Sequence, residues 1–270
     1  MDDLLLLVVG VVVGTIGTLV GAGGGFLLVP VLLFLYPDDP PGVITSTSLA
    51  IVFINSVSGS IAYGLQRRID FKVGIILALA AVPGAVVGAL LATKINRGPF
   101  SIVFGLTLLA IALLLFRRPT ARERSGEDAA RGWRRTLVDR GGHVYHYSVP
   151  LALALPLAAA VGLFSSLLGI GGGFIQVPMF ILLFNFPTYV ATATSSFMLA
   201  IMSLSGTTTH LLAGDFADAA RRTIVLAPGV IVGSQFGAWL SRRLRPAAIS
   251  RLLAVLLAIV AARMLAGQIF

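Results

Sequence analysis

Charged residues punctuate this chain rarely and at wide intervals. Residues 4–37 carry none, nor do 40–66, 73–93, 98–116 and 223–241, and Gly141 to Gly214 contain no Asp, Glu, Lys or Arg. A helix that spans a bilayer needs about 20 predominantly apolar residues, so each window holds at least one candidate. Divided at their glycine, proline and charged breaks, the runs predict hydrophobic segments at 4–20, 24–36, 43–64, 73–93 and 99–116. After a hydrophilic stretch come 149–168, 172–186, 190–213, 221–241 and 246–267. The pattern predicts an all-α, multi-pass integral membrane protein.

The order of segments repeats. Gly21-Ala22-Gly23-Gly24-Gly25-Phe26-Leu27-Leu28-Val29-Pro30 recurs as Gly169-Ile170-Gly171-Gly172-Gly173-Phe174-Ile175-Gln176-Val177-Pro178. At the same spacing Ser46-Thr47-Ser48 returns as Thr194-Ser195-Ser196, and Pro83-Gly84 with Gly88 returns close to that register as Pro228-Gly229 with Gly233. Duplication of this kind sets the architecture. It divides the chain into two homologous repeats of about five hydrophobic segments each, 1–116 and 149–270, joined by a linker, 117–148, with broken or short helices at the glycine motifs. Residues 4–36 can cross twice, cross once as a broken helix, or dip in and return as a hairpin. The first and third courses invert the second repeat relative to the first, and the middle one leaves the two parallel. Inversion is favoured by analogy with transporters built on broken helices.

Composition sharpens the membrane assignment: 57% of the 270 residues are apolar and 11% charged, and the mean hydropathy is +0.97, outside the range of an ordinary soluble domain. A net charge of +9 invites a nucleic-acid partner, but placement argues against one. Eight of the 20 basic residues (Arg117, Arg118, Arg122, Arg124, Arg131, Arg134, Arg135, Arg140) fall in the linker, and most others end apolar windows. That is the distribution of the positive-inside rule. It assigns the linker and the Arg67–Lys72 loop to the cytoplasm and the turn with Asp38 and Asp39 to the outside. Parallel and inverted repeats divide the charges alike, so charge does not choose between them. The absence of cysteine excludes disulfides and thiolate metal sites. Met1-Asp2-Asp3 lacks the basic n-region of a cleavable signal peptide, so the first segment is expected to be retained.

Three successive glycines would weaken a lipid-facing helix, whereas irregular backbone at membrane depth is tolerated beside a cavity. Glycine permits the turn and bares N–H groups, and a helix opening there aims those groups and its positive dipole end at an anion. Gly23, Gly24 and Gly25 with Gly171, Gly172 and Gly173 are therefore the first candidates for a small-anion path, with Gln176 beside the second set. Close packing is the plainer role for one such cluster; the matched copy argues for a site. The hydroxyl runs Thr45, Ser46, Thr47, Ser48 and Thr194, Ser195, Ser196 come next, because hydroxyls donate without adding fixed charge. Single hydroxyls in membrane helices often bond only their own backbone carbonyls. Asn55, Ser56, Ser58, Ser203, Ser205 and Thr207 to Thr209 extend these faces.

His210 stands alone in a long uncharged span and is the coupling candidate, since imidazoles titrate near neutrality; a neutral, hydrogen-bonded role is weighed equally. Tyr63 holds its matching place. Asp70, Asp215 and Asp218 fall beside predicted helix ends, as solvated loop or cap residues. His143-Val144-Tyr145-His146-Tyr147 has no third ligand nearby and reads as an interfacial belt, so neither a metal nor a cofactor is expected. Without carboxylates at depth, a metal-ligand cluster or a base positioned beside a serine, an enzyme is not expected either.

The doubled glycine motif with its proline, the Thr-Ser runs, Ser205-Gly206…His210-Leu211…Gly214 and Gly233-Ser234-Gln235-Phe236-Gly237-Ala238 together resemble the TauE/SafE family of sulfite and organosulfonate exporters. The resemblance spans nearly the whole chain, and the linker's end, Tyr145-His146-Tyr147-Ser148-Val149, fits it too. The first repeat departs in carrying Ala22 between its glycines and Tyr63 in place of His210, so the halves need not act alike. The resemblance implies a multi-pass permease of the bacterial inner membrane that exports sulfite, a sulfonate or a related sulfur anion. Its partners would be the small anionic substrate and the lipid bilayer, with proton coupling and a homodimer left open. The alternative is a channel or uptake permease for another small inorganic anion.

Magnitudes shape that expectation. Taking a bare anion out of water costs roughly several kcal/mol, and one helix N-terminus returns up to about 2 kcal/mol. Hydroxyls and retained water must therefore share the work. An inside-negative potential favours anion exit by about 2.3 kcal/mol per charge per 100 mV. Export can run without a coupling ion, whereas uptake needs a co-transported cation.

Overall fold

The structure, a computed structural model, describes residues 3–95, 97–117, 132–214 and 216–266. Arg118 to Arg131, Asp215 and the side chain of Asp218 lie outside the described residues. Five helices precede a two-stranded hairpin: α1 Asp3–Val20, α2 Gly25–Leu35, α3 Pro41–Leu65, α4 Phe71–Ala92 and α5 Arg97–Arg117. The hairpin is β1 Trp133–Val138 and β2 Val144–Val149. Five helices follow: α6 Leu151–Leu167, α7 Gly173–Leu182, α8 Thr188–Ala213, α9 Phe216–Ser241 and α10 Pro246–Ala266. Six of them, α1, α3, α4, α8, α9 and α10, are long and apolar enough to cross a membrane. The chain is a mostly helical, multi-pass membrane protein.

Small residues decide which helices pair. Gly229, Gly233 and Gly237, one turn apart along α9, lie against the carbonyls of Leu7, Val11 and Thr15 in α1, and a Cβ on any of them would run into the carbonyl oxygen. Gly84 and Gly88 of α4 meet Ala159 and Leu163 of α6 in the same way, and Gly162 answers Ala81. Lipid is as apolar as leucine, so helices associate in it through close backbone approach and van der Waals contact. Residue numbers rise together along both seams, so α1 runs parallel to α9 and α4 to α6. Between them α3 packs along α8, and α5 along α10.

Residues 4–36 leave and return at one end of the bundle, which fits the twice-crossing and the dipping course and not the single crossing. Arg221 at the start of α9 lies 3.7 Å from Asp3 at the start of α1. Its neighbour Arg222 pairs with Asp39 and covers the ring of Tyr36, just beyond α2. α1 and α2 thus begin and end at one end of the bundle, with the first glycine cluster at their tip. α6 and α7 enter from the other end: α6 follows β2 directly, and Tyr147 of β2 meets Phe186, just beyond α7, with ring centroids 4.3 Å apart.

The described part of the linker is folded, as a hairpin that the segment pattern did not predict. Trp133 pairs with Val149 and Val138 with Val144 in an antiparallel ladder, and Gly142 in the turn has φ +82°. His143–Tyr147, read above as an interfacial belt, forms the end of the turn and most of β2. Strand alternation puts Tyr145 and Tyr147 on the inner face, where Tyr147 donates to Asp70 at 2.7 Å and Tyr145 to Asp139 at 3.2 Å. Asp70 caps α4, accepting from the Val73 amide at 3.2 Å. It is buried rather than solvated and takes two 2.8 Å hydrogen bonds from Arg135. Burial works to raise its carboxyl, but Arg135, Tyr147 and the Val73 amide overcome this and hold it below the usual carboxylate range. Alternation in Tyr145-His146-Tyr147-Ser148-Val149, after an Asp-Arg-Gly-Gly turn, is the signal the sequence offers for the hairpin.

Candidate functional site

α1 and α6 each stop where glycine lets the chain reverse. Gly21, Gly23 and Gly24 have φ of +71°, +72° and +83°, and Gly169, Gly171 and Gly172 have +69°, +80° and +91°. Each turn closes on its own helix, through Ala22 N–H to the Gly17 carbonyl at 2.8 Å and Ile170 N–H to the Ser165 carbonyl at 3.0 Å. α2 and α7 then open behind left-handed Gly24 and Gly172, with no side-chain cap. The amides of Gly25, Phe26, Gly173 and Phe174 donate to no acceptor among the described residues. Those are the orphan donors of a helix start.

The two turns meet in the interior. A Cβ on Gly25 would lie 2.6 Å from the Ile170 carbonyl oxygen, and one on Gly173 would lie 2.5 Å from Ala22 Cα. Val52 of α3 and Leu199 of α8 flank both Gly23 and Gly171. The six candidate glycines are thus gathered, all buried, between α3 and α8.

The hydroxyl runs stand alongside, and most are satisfied within their own helices. Thr45 donates to the Gly42 carbonyl at 3.0 Å, Ser46 and Thr47 to that of Val43 at 2.9 Å, and Ser196 to that of Thr192 at 3.0 Å. Thr194 accepts the Asp70 amide at 3.1 Å. Ser195 lies 2.9 Å from the Gly21 carbonyl oxygen and 3.1 Å from Gln176 Oε1, and its one proton serves one of them at a time. Gln176 Nε2 reaches Met202 Sδ at 2.9 Å. Ser48 Oγ is buried with no partner among the described residues. The helices that carry the runs also support the turns: a Cβ on Gly169 would lie 2.8 Å from Thr45 Cα, and one on Gly21 would lie 2.6 Å from Cα of Thr192, just before the second run.

His210 is fully buried with Nε2 3.3 Å from Thr45 Oγ1, so it ties α8 to α3. Its counterpart Tyr63 donates to the Thr18 carbonyl at 2.7 Å and ties α3 to α1. The sequence reading passed over Ser165. Its Oγ is buried, unpartnered among the described residues, and 2.7 Å from where a Cβ on Gly172 would stand. Ser56 Oγ is likewise unpartnered, 3.4 Å from the same place on Gly23. Ser165 occupies the position that Gly17 holds in the first copy, a difference visible by aligning the repeats.

The family profile described as "Sulfite exporter TauE/SafE" matches residues 6–264. The chain belongs to the TauE/SafE family. It is 33% identical to the probable membrane transporter protein YunE of Bacillus subtilis, over the full length of both chains. A probable membrane transporter protein of Methanocaldococcus jannaschii is 28% identical, over 77% of this chain and 72% of its own. One from Xylella fastidiosa is 28% identical over 87% of this chain and 83% of its own. No solved structure matches. As a TauE/SafE protein the chain is a membrane transporter, and the two glycine turns lie within the matched region.

Proposed function

We propose that the protein exports a small sulfur-containing anion, sulfite or an organosulfonate, and that the crossing of the two glycine turns holds it in transit. One observation carries the reading. Helix N-termini arriving from opposite ends of the bundle meet in the interior, with orphan amides, between helices that contain no Lys or Arg. Such a place offers donors to an anion without a fixed charge that would trap it. We take 1–116 and 149–270 to be inverted copies, because the first helix of each half lies on the fourth of the other. We assign the linker, 117–148, to the cytoplasm by its arginines. Three more basic residues, Arg67, Arg68 and Lys72, lie in the α3–α4 loop and the first turn of α4, and Arg242 lines a cleft with Arg68 and Arg140. The membrane potential then favours exit, and His210 is the residue at which a proton would couple.

Reconstitution into vesicles tests this. Flux of sulfite or a sulfonate should saturate with concentration, and Gly172→Val should lower it at least about tenfold, since a β-branched side chain is both strained there and forced onto Ser165. Flux that never saturates would indicate a channel. A monodisperse Gly172→Val protein with unchanged substrate affinity would overturn the site.

A further inference from the structure

At the hairpin's end a cleft of about 550 Å³ opens between the last turns of α3 and α9 and the β1–β2 turn. Gln66, Arg68, Asp139, Arg140, Gln235 and Arg242 are among the residues on its walls. Its one carboxylate is already engaged. Asp139 Oδ1 accepts the amides of Gly141 at 2.8 Å and His143 at 3.0 Å, and Oδ2 accepts the Tyr145 hydroxyl, with Arg68 Nε at 4.0 Å. Arg140 and Arg242 pair with no carboxylate among the described residues. The cleft therefore keeps an uncompensated positive charge, and its volume admits a small anion with its hydration shell.

A polar face of α3 leads inward from there. Gln66 stands on the cleft wall, and Gly59, Ser56, Asn55 and Ser48 follow on the same side at helical spacing. Gln235, on the opposite wall, donates to Ser58 Oγ at 2.8 Å. Ser56 stands beside Gly23, at the crossing. Asn55 Nδ2, Ser56 Oγ and Ser48 Oγ are buried along this face with no partner among the described residues.

We propose that the cleft is a capture vestibule for a free, hydrated oxyanion, which then moves along this face of α3 to the crossing. The destination rests on the transport reading above; the cleft's preference for anions does not. Capture here is electrostatic: arginines bordering a concave surface raise the local anion concentration, and salt screens the effect.

The chain has no cysteine, so Leu65→Cys, at an exposed position on the cleft wall, gives a single reporter in the full-length protein. In neutral-lipid vesicles at low salt, a sulfonate-bearing methanethiosulfonate should label it about tenfold faster than a trimethylammonium-bearing one, after correction for their rates with a free thiol. The advantage should fall to about twofold or less in ~1 M salt, and also in the Arg140→Gln/Arg242→Gln background. Methanesulfonate, which does not attack the mixed disulfide, should slow labelling. Absence of a charge preference, or a preference untouched by the double substitution, overturns the vestibule and leaves the transport reading standing. A preference with methanesulfonate protection but without flux of any sulfur anion supports the vestibule and removes the transport reading instead. Adding anionic lipid distinguishes the two sources of an oxyanion: an unchanged preference supports a free anion, whereas its loss assigns the cleft to a lipid headgroup and overturns the proposal.

Discussion

Asp70 joins three elements through one carboxylate: it caps α4, holds Arg135 of β1 and Tyr147 of β2, and its own amide reaches Thr194 of α8. Its carboxyl is held below the ordinary value, about 3.9 in an unfolded chain. The stability it contributes is therefore present above that value and lost as pH falls through the lower, folded one. Burial and Asp139 push the Tyr145 hydroxyl up to about 12, and burial with Asp70 pushes that of Tyr147 up as well, so both remain donors near neutrality. Hydrogen exchange of the Arg140–Tyr147 amides should rise in acid below about pH 4. Asp70→Asn should shrink that transition to the part Asp139 carries through its bonds to the Gly141 and His143 amides, and cost about 3 kcal/mol, because it strips a buried pair of one partner. At His210, Gln substitution should flatten the pH profile of transport if the imidazole carries a proton. An unchanged profile would leave His210 as a tie between α8 and Thr45. Gly24 and Gly172 could be read from the sequence as helix starts because they occur in duplicate. The pairing of Asp70 with Arg135 could not, because nothing local to either residue marks a partner so distant in sequence. Nor could the bareness of Ser165, which depends on what faces it across α7.

At the scale of elements, two uses of glycine separate cleanly. Gly142 has open space around its missing Cβ and φ +82°, so Gly142→Ala should cost about 1 kcal/mol of backbone strain and little else. Gly233 has ordinary helical backbone but lies directly against the Val11 carbonyl, so Gly233→Ala must force α1 from α9. It should cost about 1–3 kcal/mol or more. Thermal melting in detergent should rank Gly233→Ala below Gly142→Ala, and the reverse order would deny the seam its importance. Each expected hydrophobic segment corresponds to a helix, because long apolar runs have few other ways to satisfy their backbone in lipid. The β1–β2 hairpin is not legible in long apolar windows, because its strands are six residues each and β1 mixes two arginines with its apolar residues.

Across the whole molecule, charge predicts sidedness. A cysteine placed at Ser125 should resist an impermeant thiol reagent in intact cells and react once the membrane is opened. Labelling in intact cells would reverse every loop assignment. The sequence could not say how the halves stand to each other, because both arrangements divide the basic residues alike. The seam between α1 and α9 also bears on how the protein is made. Among the ten described helices α1 leaves the ribosome before the others, and its chief neighbour, α9, follows only after seven more. α4, by contrast, meets α6 soon after both emerge. A chain arrested after α8 should therefore hold α4 against α6 while α1 remains protease-sensitive, and a separately expressed 149–270 fragment should protect α1 in a co-expressed 1–116. Until Gly229, Gly233 and Gly237 are synthesised, the ridge of carbonyls on α1 has only lipid or an insertion chaperone beside it. The membrane insertion machinery must shelter that face of α1 until α9 has been made.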